Sequence, residues 1–366
     1  MAGQVSILVV SLATTAGWVV NERELSAALR RLGVEHTVVR VRLGPERHLR
    51  RSGILPIVDA IEAAGARRAL GGSRRRGDPS AVILLSTTAS LLAPVGRLRA
   101  EGIPVAIRVD CPSETSRPGP ANVLQRLLER RRLRQADVAL ATGPRSAALL
   151  APLARRVAVL PVPVREPAGP AAVNGAGDVV TYSADPANKG LDLVCDAWWA
   201  LGERTEGRRL HVTGVSPERG RRLLLRRGIA EPPGLRWHGT VARERQIELV
   251  RAAGAYVSAS EWEGTGIAQL EALAAGVPLV TTPSLGAYEA YPIARGLEPS
   301  LVTSGRDERE LAKALAVALE MPAARRRDYA AGAAAAVGRY SAEAADHVLR
   351  EEVLPLLSGG GPARPP

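Results

Sequence analysis

The chain of 366 residues contains no phenylalanine, and aromatic residues make up only 3% of it. Its cores must therefore be built from aliphatic side chains, with 5 Trp and 6 Tyr as the only large rings. Lysine is reduced to Lys189 and Lys313, so nearly every cation is arginine. Both shortages read as a bias over the whole chain, and exchanging Lys for Arg leaves the net charge of +12 intact. A basic protein attracts polyanions, whether nucleic acid, anionic lipid or phosphorylated small molecules. The two cysteines, Cys111 and Cys195, lie far apart with no CxxC spacing, which indicates neither a disulfide framework nor a structural zinc site. No apolar run approaches the eighteen residues of a membrane span, and the opening MAGQVSILVV lacks the basic head of a secretory signal. The expected location is the cytoplasm, with the inner face of the membrane as a peripheral site.

What remains is an ordinary globular composition, 46% hydrophobic and 23% charged, at a length that suits two domains. Short apolar β-type runs recur at 5–11, 36–41, 81–86, 104–110, 137–142 and 157–162, with amphipathic stretches such as 22–32 between them. After a Pro, Gly and Ala-rich segment, PVPVREPAGPAAVNGAGD (161–178), the alternation restarts at 179–183, 209–213, 235–238, 255–259 and 278–282. Alternating strand and helix predicts parallel sheets covered on both faces. The expected architecture is α/β, two Rossmann-like domains whose sheets face across a cleft. The first domain spans 1–164, the hinge 165–178 and the second 179–340, with a helix near 341–357 packing back on the first. The tail, 358–366, is too poor in apolar residues to pack and is expected to be disordered. Ligands of such sheets sit beyond the carboxyl ends of the strands. A nicotinamide site is excluded, because the loop after the first strand reads SLATTAGWVV, and no GxxxxGK[ST] loop exists.

Residues 258–290, SASEWEGTGIAQLEALAAGVPLVTTPSLGAYEA, carry the most chemistry. A strand ends near Ala259, a loop with Gly264 and Gly266 follows, and a helix over 267–275 stops at Gly276 before Pro278. In that helix only Gln269 and Glu271 are polar, and they stand about 200° apart around the axis. They cannot share a solvent stripe. A helix apolar on nearly every side is buried, and a buried carboxylate is costly unless hydrogen bonds reach it. Glu271 thus serves either a ligand or an internal salt bridge to an arginine, with the glycines making only a tight turn in the second case. Glu263, eight positions earlier, is expected at the strand end, and the glycine loop offers backbone N–H groups to an anion.

This stretch resembles the E-x7-E signature of the retaining GT-B glycosyltransferases of family GT4, with Glu263 and Glu271 as its two acids. VVTYSADPANKGLDLVCDAWWAL (179–201), RWHGTV (236–241) and AGWVVNERELSAALRRLG (16–33) resemble further parts of that family: its phosphate turn, its base-binding loop, and its first glycine loop and helix. The resemblance implies that Glu271 holds the donor ribose and Glu263 the donor sugar. Backbone groups of Gly264, Thr265, Gly266 and Ile267 would meet sugar and diphosphate, while Gly17 and Val241 join the donor contacts. It also implies retention of anomeric configuration with no metal and no cofactor beyond the nucleotide sugar. The chain has no DxD, and its histidines show no ligand spacing.

Lys189 follows Asn188, a good N-cap, and is expected in the first turn of a helix, where a cation is disfavoured unless an anion binds. The resemblance makes it a diphosphate-binding catalytic group; the alternative is a solvated lysine. Where relatives carry Gly-Arg before this turn, the chain has Ser183 and Ala184, so a nearby arginine substitutes or donor affinity falls. Asp110 ends a first-domain strand and either binds an acceptor hydroxyl or makes a turn. Thr265 stands where relatives have an aromatic residue. His238 beside the base loop reads as structural, and of Trp198 and Trp199 at most one faces the core. Arginine runs at 67–76, 126–134 and 219–227 lack interleaved aromatics, which disfavours nucleic acid and suits solvated helix faces. The basic first-domain segments are expected to rest on anionic lipid. A glycosyltransferase with an unidentified acceptor is the reading adopted. A sugar-nucleotide epimerase or hydrolase, and a non-catalytic nucleotide-sugar binder, stand as alternatives.

Overall fold

The computed structural model describes residues 6–14, 16–41, 55–75, 77–164 and 177–358. Most of the expected hinge (165–176), most of the expected disordered tail (359–366), His48 and Arg76 lie outside the described residues. The chain forms two compact units, Met1–Pro163 with Tyr340–Pro366, and Val164–Arg339.

The first unit runs β1 (Ser6–Ser11), α1 (Ala16–Arg31), β2 (Glu35–Arg40), α2 (Leu55–Arg74), β3 (Ala81–Leu84), α3 (Thr87–Ser90) and α4 (Val95–Ala100). It continues through β4 (Val105–Val109), α5 (Ser113–Ser116), α6 (Val123–Gln135), β5 (Val138–Ala141), α7 (Pro144–Leu150) and β6 (Val157–Val159). Its six strands are parallel, in the order β2-β1-β3-β4-β5-β6. Strand alternation divides the apolar side chains between two faces. Leu8, Val10, Val82 and Ile107 pack with α2, α4 and α6, whereas Ile7, Val9, Ile83 and Ala106 pack with Leu25 and Leu29 of α1. Each fully buried large aliphatic side chain contributes roughly 1.5–3 kcal/mol.

The second unit runs β7 (Val179–Tyr182), α8 (Leu191–Ala200), β8 (Leu210–Thr213), α9 (Pro217–Arg227), β9 (Leu235–Gly239), α10 (Arg243–Ala252) and β10 (Ala255–Ser258). Then come α11 (Ile267–Ala274), β11 (Leu279–Thr281), α12 (Ala290–Leu297), α13 (Glu308–Leu319) and α14 (Ala323–Val337). Its sheet, also parallel, is ordered β11-β10-β7-β8-β9. Tyrosines supply the large rings that phenylalanine would, and their buried hydroxyls find partners: Tyr288 meets Thr281 Oγ1 at 2.8 Å, and Tyr329 accepts from Leu279 N at 3.0 Å. Trp198 is buried and donates to Pro233 O at 2.9 Å, while Trp199 is exposed. The chain then returns to the first unit as α15 (Ala342–Val348), a π-type turn over Leu349–Val353 and α16 (Leu354–Leu357). Ala345, Leu349, Val353 and Leu357 close the face shared with α1, where Arg31 pairs with Asp346 at 2.7 Å.

Two local expectations are corrected. Gly17 lies in the first turn of α1, exposed, rather than in the loop. The positive-φ residue of that loop is Ala13 (φ 47), a conformation that costs a side-chain-bearing residue about 1–2 kcal/mol. Asn188 does not cap α8: the N-cap is Gly190 in the left-handed region, φ 64, and Lys189 precedes the helix. A Cβ on Gly190 would lie 2.1 Å from Ala259 O, so only glycine lets this turn press against the end of β10.

Gly190→Ala is expected to cost about 2 kcal/mol or more, whereas Gly17→Ala, in a helix with open space around it, should gain roughly 0.5–1 kcal/mol. Denaturant unfolding of both variants checks this, and equal stabilities would contradict it.

Candidate functional site

In the second sheet the strand order reverses between β7 and β10, which are hydrogen-bonded neighbours. Their carboxyl-terminal loops flank the position, beyond the strand ends, where a doubly wound sheet usually has its ligand crevice. Both loops carry charged side chains into it. Lys189, after β7, reaches Glu263, after β10, with Nζ 2.6 Å from Oε2. The loops are stitched by Asn188: its Nδ2 donates to Trp262 O at 3.1 Å, its Oδ1 accepts from Trp262 N at 3.2 Å, and its carbonyl accepts from Glu261 N at 2.7 Å.

Glu263 is buried and held by more than lysine. Ser260 Oγ and Gln269 Nε2 each lie 3.0 Å from the same oxygen, Oε2, and Gln269 Nε2 also reaches Ser258 Oγ at 2.8 Å. A carboxylate offers about four lone-pair positions on two oxygens, so this clamp fixes the group without saturating it. Gly266, the N-cap of α11 at φ 79, is packed so closely under Tyr288 that a Cβ would come within 2.8 Å of the ring. Gly264 and Thr265 are buried beside it, and Ile267 opens the helix.

Glu271 sits one turn into α11, on the opposite side from Gln269. Its side chain is 10% exposed and receives Arg243, 18% exposed, through Nε at 2.7 Å from Oε1. The salt-bridge alternative is therefore present in the structure. Arg243 opens α10, directly after the loop of Thr240 and Val241, so the pair ties that loop to α11. Burial, then the charges of Glu263 and Glu271, raise the pKa of Tyr182 at the end of β7, which puts both acids within electrostatic reach of one spot.

Ala184 leaves no side-chain cation on its turn, but α9 supplies one. Arg219 NH1 donates to Ala184 O at 3.2 Å, and NH2 stands 3.6 Å from Asp185 Oδ1. His238 is bonded to His211 (Nε2 to Nδ1, 2.8 Å), which meets Asp178 at 3.0 Å; burial, then His211 and Arg245, lower the pKa of His238. Both cysteines are buried and free.

In the first unit Asp110 follows β4 and spends Oδ1 on its own turn, accepting from Cys111 N at 2.8 Å. Burial raises its pKa, against the pull of Cys111 N–H and of Arg117 and Arg108. Arg108, fully buried with Nε unpartnered, is lowered by burial to about 9 and remains a cation at neutral pH. Near Asp110 lies a carboxyl the sequence reading passed over: Glu129 of α6, buried, accepting from Ser113 N at 2.8 Å and from Ser113 Oγ. Burial lifts it to about 7, with Asp110 and Glu114 adding to the rise. Asp59 gathers Arg117 at 3.2 Å and Gln125 at 2.9 Å nearby. Gln269, Arg243, Arg219 and Glu129 were not singled out as site residues beforehand. Only the isolated polarity of Gln269 in an apolar helix carried a local signal. Among the described residues no group of three or more His, Cys, Asp or Glu could hold a metal ion, and no helix is long and apolar enough to cross a membrane.

The fold and this crevice define a GT-B glycosyltransferase architecture, and comparison with known proteins agrees. The family described as Glycosyl transferases group 1 matches residues 177–321, within the second unit. Mannosylfructose-phosphate synthase of Agrobacterium fabrum is 31% identical over 116 residues, 30% of this chain. That match spans about a quarter of the enzyme's length, 26%. Among solved structures, a sucrose-phosphate synthase from Thermosynechococcus elongatus superposes with TM-score 0.75 at 16% identity, covering 97% of this chain and 99% of that one. A trehalose-6-phosphate synthase gives 0.71 at 15%, covering 96% and 99%. Anabaena HepE, solved with UDP and glucose, gives 0.68 at 13%, also covering 96% and 99%. At these identities the likeness shows the GT-B fold.

Glu129 and Asp110 both have folded-state pKa values above their unfolded ones, so folding takes up protons, for Glu129 between about pH 4.5 and 7. Stability is then lost as pH rises through that window. Glu129→Gln should flatten the decline from pH 5 to 8 by roughly 2–3 kcal/mol, read by urea unfolding. Superimposable pH profiles for the two proteins would contradict it.

Proposed function

We propose that the chain is a retaining, metal-independent glycosyltransferase of the GT4 type, moving a hexosyl group from a nucleoside-diphosphate sugar to a hydroxyl acceptor. The observation that carries this reading is the Lys189–Glu263 pair that joins the loops after β7 and β10, with Glu271 within electrostatic reach of Tyr182 at the end of β7 and Arg219 donating to Ala184 O just beyond it. A UDP-hexose is the first donor to try, since solved neighbours hold UDP with glucose, or UDP-2-fluoro glucose. In the same reading the enzyme works in the cytoplasm and the first unit, with Asp110, receives the acceptor.

The bond between the anomeric carbon and the diphosphate oxygen breaks, its electron pair stays with the diphosphate, and the acceptor oxygen bonds to that carbon as its proton passes to the departing diphosphate. Negative charge therefore grows on the departing diphosphate. Preorganised cations and N–H groups stabilise such charge best where water is excluded. Lys189 and the backbone from Gly264 to Ile267 fill that role, and Arg219 stands in for the arginine missing at Ala184. Glu263, fixed through Oε2 by Ser260 and Gln269, keeps its place when Lys189 turns to phosphate, and orients sugar hydroxyls. Glu271, oriented by Arg243, accepts from the ribose hydroxyls. Gly17 lies in the other unit, and a donor contact through it rests on the family resemblance alone.

Titration calorimetry with UDP and initial rates with a UDP-hexose test the assignment. Glu271→Gln should weaken UDP by at least ten-fold. Lys189→Ala should lower kcat by about 10²–10³ with less effect on KM, the range of a lost charge-stabilising donor. Arg219→Ala should weaken UDP by several-fold. Unchanged binding and turnover in all three would reject the site. Nucleotide-induced thermal stabilisation without turnover on any acceptor would leave a binding protein, and turnover of the donor with no acceptor present would indicate an epimerase or hydrolase.

A further inference from the structure

A surface helix ordinarily turns its apolar residues inward. Helix α6 does the reverse over its first half. Its buried line is Gln125, Glu129 and Leu133, whereas Val123, Leu124 and Leu127 are 43%, 69% and 57% exposed. The other large apolar side chains exposed among the described residues, Ile57, Trp199, Leu225 and Leu285, come from separate elements, so α6 alone gathers several within about one turn. Scattered exposed hydrophobes need no explanation, but a contiguous patch marks a partner.

The same solvent stripe continues at helical spacing into Arg130, Arg131 and Arg134, all exposed; the stripe's own residues include no acid, and Arg130 pairs with Glu114 of α5 at its edge. Arg126 fastens the preceding loop to the helix by donating to Arg117 O at 2.7 Å and Gly119 O at 2.8 Å, so the patch rests on an ordered support. Positive charge is concentrated enough that Arg131 and Arg67 add to the burial that lowers the pKa of Arg132.

We propose that the exposed stripe of α6 docks the protein on an anionic phospholipid bilayer, Val123, Leu124 and Leu127 entering the acyl boundary and Arg131 and Arg134 meeting headgroup phosphates. The chemistry selects this occupant. A second copy of the same stripe would bring like charges together. Single-stranded nucleic acid would want aromatic platforms, which α6 lacks. On α6 apolar and basic side chains follow one another along a single exposed stripe, and affinity for a bilayer grows with both the apolar area inserted and the attraction to anionic headgroups. The proposal is independent of the donor site.

Co-sedimentation of the full chain with vesicles of equal phosphatidylglycerol and phosphatidylcholine, against phosphatidylcholine alone, tests it. Binding is expected only to the anionic vesicles, and should fall at least ten-fold on raising salt from about 0.05 M to 0.5 M. Leu124→Ser with Leu127→Ser, and separately Arg131→Gln with Arg134→Gln, should each lower binding at least ten-fold while melting temperature and UDP affinity stay unchanged. Absence of binding by the wild type, or equal binding by the variants, overturns the proposal. So does a wild type that self-associates without lipid, or binds RNA, through a surface that these substitutions abolish.

Discussion

A carboxylate set in an apolar helix must be given donors, and the segment around α11 satisfies that demand twice. Glu271 takes Arg243, and Glu263 takes Lys189, Ser260 and Gln269. Removing one member of such a largely buried pair typically costs about 3–5 kcal/mol, because the remaining charge is left desolvated. The pairs therefore lock the loops after β7, β9 and β10 to the start of α11. A donor that brings hydroxyls to the acids and phosphates to the cations replaces like with like, which limits the desolvation it must overcome.

Composition shaped how this scaffold is built. Without phenylalanine, the second unit uses buried tyrosines whose hydroxyls must be satisfied, and Tyr288 does so while pressing on Gly266. The helix start is thus shaped by a ring as well as by a glycine. In the first unit polarity is buried more freely: Arg108, Glu129 and Asp59 are buried around the end of β4 beside Asp110, and burial shifts Arg108, Asp110 and Glu129 toward neutrality. Groups so perturbed cluster at functional sites more often than elsewhere.

The strands were legible because a parallel sheet buried on both faces leaves an uninterrupted apolar run, as in VVTY and AYVS. The α11 segment was legible for the same reason, down to a boundary one residue off. Glu271 was correctly seen to need a partner, but the sequence could not say which, because Arg243 is 28 residues away and one arginine among many. Asn188 was taken for a cap because local propensity favours it; tertiary contact with Trp262 won instead, and Gly190 ended the turn. Arg219 and the clamp on Glu263 depend on which strands adjoin, a fact of topology that spacing does not carry. The arginines of α6 were read as a solvated face, and the leucines beside them were passed over, since which side of a helix meets solvent is settled by its neighbours.

The most direct measurement is the affinity of UDP against that of its 2′,3′-dideoxy analogue, in the wild type and in Glu271→Ala. If this carboxylate grips the ribose, deleting the two hydroxyls weakens binding at least ten-fold in the wild type and hardly at all in the variant. An equal loss in both proteins would mean that the acid serves only its arginine.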